Sequence, residues 1–355
     1  MKRAITWLLA AAMLFALAAC AAGETPAPAA EPEKAETKTE AAVQTAEPAP
    51  AQEPETKEEG PVKTLGIEYK SNEATSWDDD GELNVLAIGS SFSDDTLWYV
   101  RDIAKSAGIE KINVFNLHYP GCTIAQHAAH ARMDEAVYQF QNDVTGTWTM
   151  IPNYKMSAAL RFKKWDYISF HQSVHLANNA STFEEMPWLL GYVRDIVGPE
   201  PRFIYLMNWA YQGDCTTNPN FMRFRKDQAL MFDSIIEGTK ANVEPWACFE
   251  YIVPNATAVQ NLRTSFLGDT VTRDGYHMNY LEGRYTVGLT YFGMLMGPEW
   301  LDKVTFKPEN VQKNGGVIEG EGLSSMDEKT QAVCIEAAKN AIAHPYEITQ
   351  ATDVG

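Results

Sequence analysis

The chain lacks an apolar run long enough to cross a bilayer, an internal repeat, a glycine-rich dinucleotide fingerprint and a phosphate loop. Its longest apolar stretch, residues 4–20, falls short of the roughly 20 residues that a spanning helix requires. Positive charge is also scarce, with 29 Lys and Arg against 47 Asp and Glu and a formal net charge of −18. With no basic stretch, the chain is a poor partner for nucleic acid or anionic lipid headgroups, because both are held by neutralising their phosphates. Cysteine is sparse: apart from Cys20 there are only Cys122, Cys215, Cys248 and Cys334. Their wide spacing is unlike a zinc site, and it fits either two disulfides or free buried thiols. His127 and His130 in "HAAH", with His171 and His175, raise the question of a metal. No acidic ligand stands at a metal-site spacing, so they read as hydrogen-bonded cleft histidines, and neither metal nor organic cofactor is implied.

What is present begins with a leader. Lys2 and Arg3 precede "AITWLLAAAMLFALAAC", which closes on small residues before Cys20. A basic end, a short apolar core and a small-residue cleavage site make an export signal over residues 1–20. Its ending, Leu17-Ala18-Ala19-Cys20, resembles the bacterial lipobox. That resemblance implies lipid on Cys20 and a mature protein anchored at the outer face of a bacterial membrane. Residues 21–60 hold ten Glu, six Pro and eleven Ala but only one larger aliphatic side chain, Val43. Such a segment buries too little apolar surface to offset its ordering entropy, which predicts a disordered tether over 21–62 and a folded domain over 63–355. The leader carries +2 and the tether −7, so the remainder carries −13.

Within the domain, short apolar runs at 83–88, 112–117, 167–171 and 203–208 alternate with helical patterns at 96–108, 156–165 and 188–198. A fifth such run lies near 245–252, with a helical pattern at 255–266, and a last helix is predicted over 327–344. Strands alternating with helices predict an α/β fold, a three-layer α/β/α sandwich around a mainly parallel sheet of about five strands. The stretch 134–155 breaks this rhythm and reads as an inserted hairpin or cap. In such a sheet, ligands collect at the carboxyl ends of the strands. Polar clusters follow the first four apolar runs there: Ser90 to Asp95, "HYPGC" (118–122), "HQSVH" (171–175) and "NWAYQGD" (208–214).

Cleaving an ester with a hydroxyl requires a serine, a base, an acid to orient that base and donors for the oxyanion. Ser91 stands at a strand-to-helix turn, where the alternative role is a helix cap. In "TRDGYHMN", Asp274 precedes His277 by three residues, close enough for a turn to join carboxylate and imidazole. The block Gly89-Ser90-Ser91-Phe92-Ser93, the loop Tyr119-Pro120-Gly121 and the late Asp274-Gly275-Tyr276-His277 resemble the SGNH, or GDSL-type, hydrolase superfamily. More narrowly, "GSSFSDD", "YPGCTIAQH", "WDYISFHQS" and "NWAYQ" are similar to a branch of bacterial surface proteins catalogued as a domain of unknown function.

The resemblance implies a flavodoxin-like sheet, Ser91 as nucleophile, His277 as base and Asp274 as its orienting acid. It further implies an oxyanion hole of Ser91 N–H and Gly121 N–H. Residue 90 is serine where the superfamily has Asp or Asn, and "FHQSVH" replaces its Gly-x-Asn-Asp block. The third donor then falls to Gln172 or His171. Substrate contacts are expected from His127, Trp209, Tyr211 and Gln212. The function so read is a lipid-anchored serine esterase removing acetyl or other small acyl groups from glycans. A competing reading is a glycan-binding surface lipoprotein that keeps the fold without turnover.

Overall fold

The computed structural model describes residues 82–315 and 322–352, all within the unit Glu58–Gly355. The leader, the tether and Cys20 lie outside the described residues, and no described helix is long and apolar enough to cross a membrane.

The chain opens with β1 (Leu83–Gly89), α1 (Ser91–Leu97), α2 (Val100–Ser106), β2 (Ile112–His118) and α3 (Ile124–Arg132). A hairpin follows, β3 (Ala136–Asp143) and β4 (Thr149–Lys155), then α4 (Met156–Leu160), β5 (Tyr167–Phe170), α5 (Met186–Val197) and β6 (Arg202–Leu206). The remainder is α6 (Gln228–Asn242), β7 (Phe249–Val253), α7 (Asn255–Arg263), α8 (Glu282–Met296) and α9 (Glu328–Ala343).

The sheet has seven strands in the order β4-β3-β2-β1-β5-β6-β7. Five are parallel, as the alternation of apolar runs and helices predicts, and β1 is hydrogen-bonded to β2 on one side and β5 on the other. The stretch 134–155 is a hairpin, but it extends the sheet antiparallel to β2 instead of capping the site.

Successive residues of β1 feed two cores, because side chains alternate across a pleated strand. Val85 and Ala87 join the cluster built by α1, α2, α7, α8 and α9, while Leu86 and Ile88 join that of α3, α4 and α5 on the other face. A third cluster around α6 includes Tyr211, Phe221 and Met231. Burial on both faces explains why β1 and β2 read as mostly apolar runs rather than alternating ones, broken only by buried Asn84, Asn113, Asn116 and His118. Cys122, Cys215, Cys248 and Cys334 are unpaired and buried, so the thiol reading holds over the disulfide one.

Counting parallel strands alone, the order is 2-1-3-4-5, the flavodoxin-like arrangement. The chain reverses its direction of travel across the sheet between β1 and β5, and the crevice at that reversal is where doubly wound sheets take ligands.

Candidate active site

The β1–α1 turn is built by serines. Ser90 is the N-cap of α1 in extended conformation, and its Oγ accepts from Phe92 N–H at 3.4 Å. Ser93 Oγ accepts from Ser90 N–H at 2.9 Å and lies 2.6 Å from Ser90 O and 2.9 Å from Asn116 Oδ1, which ties the turn to β2. The cap is therefore Ser90, and Ser91, the first helical residue, is free for another role. Gly89 must be glycine here, since a Cβ would lie 2.1 Å from Ser93 Oγ.

Opposite stands the turn 272–278, closed by Arg273 N–H to His277 O at 2.9 Å. Gly275 has φ +94°, and a Cβ there would meet Cys215 Sγ at 2.8 Å. Asp274 Oδ1 accepts from Tyr276 N–H at 3.1 Å and His277 N–H at 2.8 Å, while Oδ2 lies 2.6 Å from His277 Nδ1. An ionised carboxylate only accepts, so the imidazole proton sits on Nδ1 and Nε2 is left to accept. His277 Nε2 is 2.8 Å from Ser91 Oγ. Burial alone would raise the pKa of Asp274, but the bonds from the His277 ring and the two backbone N–H groups outweigh it and hold the carboxyl below its ordinary range. The arrangement keeps Asp274 charged, His277 oriented and the Ser91 hydroxyl hydrogen-bonded to a base.

Asp95 and Trp209 join the two turns, and Gln212 braces the second. Asp95, completely buried on α1, accepts through Oδ1 from Arg273 Nη1 and Arg284 Nε, both at 2.8 Å. Its Oδ2 accepts from Met278 N–H at 2.9 Å. Nothing in the sequence distinguished Asp95 from Asp94, because its partners lie far along the chain. Gln212 supports the same turn, donating its N–H to Gly275 O at 2.7 Å and accepting the Thr272 hydroxyl through Oε1. Trp209 stacks on Phe92 with centroids 4.6 Å apart and donates Nε1–H to Tyr276 O at 2.7 Å.

These contacts correct the expected substrate residues. Trp209 is 0% exposed and Tyr211 2%, so both rings belong to the core and present no surface to a substrate. Gln212 acts as a brace. His127 is 1% exposed, with Nδ1 2.9 Å from the Tyr138 hydroxyl, and burial pushes its pKa down to about 3.

Gly121 sits after β2 with φ +62°, and its loop is held to β1 by Tyr119 N–H to Gly89 O at 3.1 Å. Neither Gly121 N–H nor Ser91 N–H has an acceptor among the described residues. Gln172 is corrected as a candidate third donor. Its Oε1 accepts from Ile124 N–H and Ser173 N–H, and its Nε2 donates to Thr182 O at 2.8 Å, so the amide clamps neighbouring loops. His171, by contrast, has Nε2 3.2 Å from Ser90 Oγ and Nδ1 2.7 Å from Asn208 Nδ2. Asn208 lies in the "NWAYQGD" segment but carried no signal of its own. Among the described residues, no group of three His, Cys, Asp or Glu side chains is placed to hold a metal ion.

Fold and site define a doubly wound α/β domain with serine, histidine and aspartate hydrogen-bonded in series beside its switch point. The chain belongs to the DUF4886 family, described as a domain of unknown function, whose profile matches residues 84–319. A crystal structure of a DUF4886 family protein from Bacteroides uniformis is 30% identical, covering 76% of this chain and 98% of its own, with a TM-score of 0.63. A proposed SGNH hydrolase from Slackia heliotrinireducens is 13% identical over 59% of this chain and 97% of its own, at a TM-score of 0.38. A carbohydrate esterase family 3 protein from Talaromyces cellulolyticus is 15% identical over 60% and 96%, at 0.39. No curated protein matches the chain.

Proposed function

We propose that the domain is a serine ester hydrolase that removes acetyl or other small acyl groups from glycans, exported and held at the outer face of a bacterial membrane by lipid on Cys20. The observation that carries the hydrolase reading is the unbroken chain Ser91 Oγ to His277 Nε2 at 2.8 Å and His277 Nδ1 to Asp274 Oδ2 at 2.6 Å. The anchor rests on the leader sequence, and the acylated glycan on the resemblance of the serine and Asp-x-x-His blocks to SGNH hydrolases.

Ser91 Oγ attacks the ester carbonyl carbon while His277 Nε2 takes its proton, and the carbonyl π pair moves to oxygen as the tetrahedral oxyanion. The N–H groups of Ser91 and Gly121, which have no acceptor among the described residues, stabilise that charge. Collapse expels the sugar alkoxide, which takes the proton from His277, and leaves acyl-Ser91. Water then loses a proton to His277, attacks the acyl carbon and releases the carboxylic acid, returning the proton to Ser91. Asp274 stays ionised throughout and stabilises the imidazolium.

The test is hydrolysis of a chromogenic acetyl ester and of an acetylated oligosaccharide by the chain beside Ser91→Ala. Loss of kcat by roughly 10⁴–10⁶-fold with the fold intact supports the nucleophile. Equal rates in both proteins would remove Ser91 from that role. Inactivity of the parent toward both substrates, with oligosaccharide binding retained, would favour the non-catalytic glycan-binding alternative.

A further inference from the structure

We infer that Asn208 holds His171 as its Nε2–H tautomer, so that His171 Nε2–H supplies the third, side-chain donor to the oxyanion formed at Ser91. This rests on the hydrolase reading above and adds the donor that the sequence leaves open between two neighbours.

The position follows from topology. Gly121, the Ser90–Ser91 pair and His171 leave β2, β1 and β5, three adjacent strands of the sheet, at their carboxyl ends. His171 is the first residue after β5, and β5 flanks the reversal point of the sheet.

The chemistry follows from the partners. The Asn208 Nδ2 group has protons and no lone pair to offer, and it lies 2.7 Å from His171 Nδ1. With the Asn208 amide oriented as in this structure, Nδ2 toward the ring and Oδ1 without a hydrogen-bond partner among the described residues, Nδ1 is the acceptor and a neutral imidazole carries its proton on Nε2. His171 is 2% exposed, and burial pushes its pKa down to about 4, so the ring is neutral at physiological pH.

Nε2–H in turn points at Ser90 Oγ, 3.2 Å away and covalently next to the nucleophile. That length is at the long end for N–H···O, so the bond is a weak resting contact that an oxyanion can displace or share. Gln172, the other candidate, has its oxygen held by Ile124 N–H and Ser173 N–H and its Nε2 drawn to Thr182 O, so its side chain is anchored to those loops. Asn208 touches no reacting atom in this scheme and is a positioning residue acting through His171.

The experiment reads the tautomer directly. The full chain, labelled with ¹⁵N in histidine and carrying Ser91→Ala, is measured at pH 8 by long-range ¹H–¹⁵N correlation, with His171→Asn for assignment. The expected spectrum has His171 protonated on Nε2 and bare on Nδ1. Asn208→Asp, whose carboxylate accepts instead of donating, moves the proton to Nδ1 at this pH.

On the Ser91 background, Asn208→Asp and His171→Leu each lower kcat by about 10²–10³-fold with KM little changed, the usual loss for one oxyanion donor. His171→Asn, which restores an N–H at that position, recovers part of it. A parent spectrum with the proton on Nδ1 overturns the role of Asn208 whether or not the protein turns over ester. The expected tautomer with unchanged kcat in His171→Leu overturns the donor role. An inactive parent with the expected tautomer refutes the hydrolase reading, and with it the donor role, while the hold of Asn208 on His171 stands.

Discussion

Asp95 ties the turn that carries His277 to the helix that begins at Ser91. It is completely buried, it is the shared acceptor for Arg273 and Arg284, and it also receives the N–H of Met278, next to His277. Asp95→Asn keeps the volume but removes the charge, and it turns one oxygen into an amide that faces donors. Arg284, 4% exposed and lying 4.2 Å from the Trp98 ring centroid and 4.0 Å from that of Tyr280, cannot reach water to compensate. Removing one partner of a buried pair costs about 3–5 kcal/mol. That is a large part of the roughly 5–15 kcal/mol of a whole domain. With an m-value of about 3 kcal/mol/M, the urea midpoint falls by about 1–1.7 M. Turnover falls as well, because Asp95 is what ties the His277 turn to the helix that starts at Ser91. Asp94→Asn is the internal control. Burial, with neighbouring Asp95 adding to it, raises the pKa of Asp94 despite the opposing pull of His118, so loss of its charge lowers the urea midpoint less than loss of the Asp95 charge. Equal urea midpoints for Asp95→Asn and the parent would refute the account of Asp95 as the clamp.

The buried histidines set the acid limb of stability. His171 and His127 have pKa values of about 4 and about 3 when folded, against an unfolded value of about 6.5. Below pH 6.5 the unfolded chain gains protons that the native state refuses. Each residue therefore costs about 2 kcal/mol by pH 5, and a urea midpoint that is flat from pH 7 to 5 contradicts this. Gly89→Ala drives a Cβ to 2.1 Å from Ser93 Oγ and breaks the bonds that Ser93 makes to Ser90 and Asn116. Overpacking of this kind costs about 1–3 kcal/mol and should distort the Ser91 turn, so both urea midpoint and esterase rate fall; a parent-like rate would show that the turn tolerates the methyl. Trp209→Phe retains most of the buried bulk but orphans Tyr276 O, at about 1–3 kcal/mol. Since that carbonyl belongs to the residue before His277, the rate should fall by more than thermal stability alone explains, and an unaltered rate would argue against the brace.

The parts of the fold and site that were legible in the sequence are those whose cause is local. The parallel strands announce themselves as apolar runs because both faces of β1 and β2 are covered. Asp274 and His277 could be joined on paper because three residues and Gly275 suffice to close the turn, and Ser91 because a strand exit followed by a helix presents its first residue to the carboxyl edge. The hairpin 136–155 was visible as an interruption, yet its place as two further strands of the same sheet depends on pairing with β2, which no local pattern encodes. The failures share one cause. Trp209, Tyr211 and Gln212 follow a strand and look like an aromatic, polar loop; only the packing of Phe92, Phe221 and the 272–278 turn around them makes two of them core and one a brace. Gln172 and His171 are neighbours with equal claims as donors in the sequence, and what separates them is distant: Thr182 O binds the Gln172 amide, while Asn208 meets the His171 ring. Asp95 was hidden in the same way, since Arg284 lies 189 residues downstream. A sequence shows which residues have the chemistry for a role. Which of them remain free to perform it depends on partners brought in from elsewhere in the chain, and at this site those partners are Asn208, Thr182, Arg273 and Arg284.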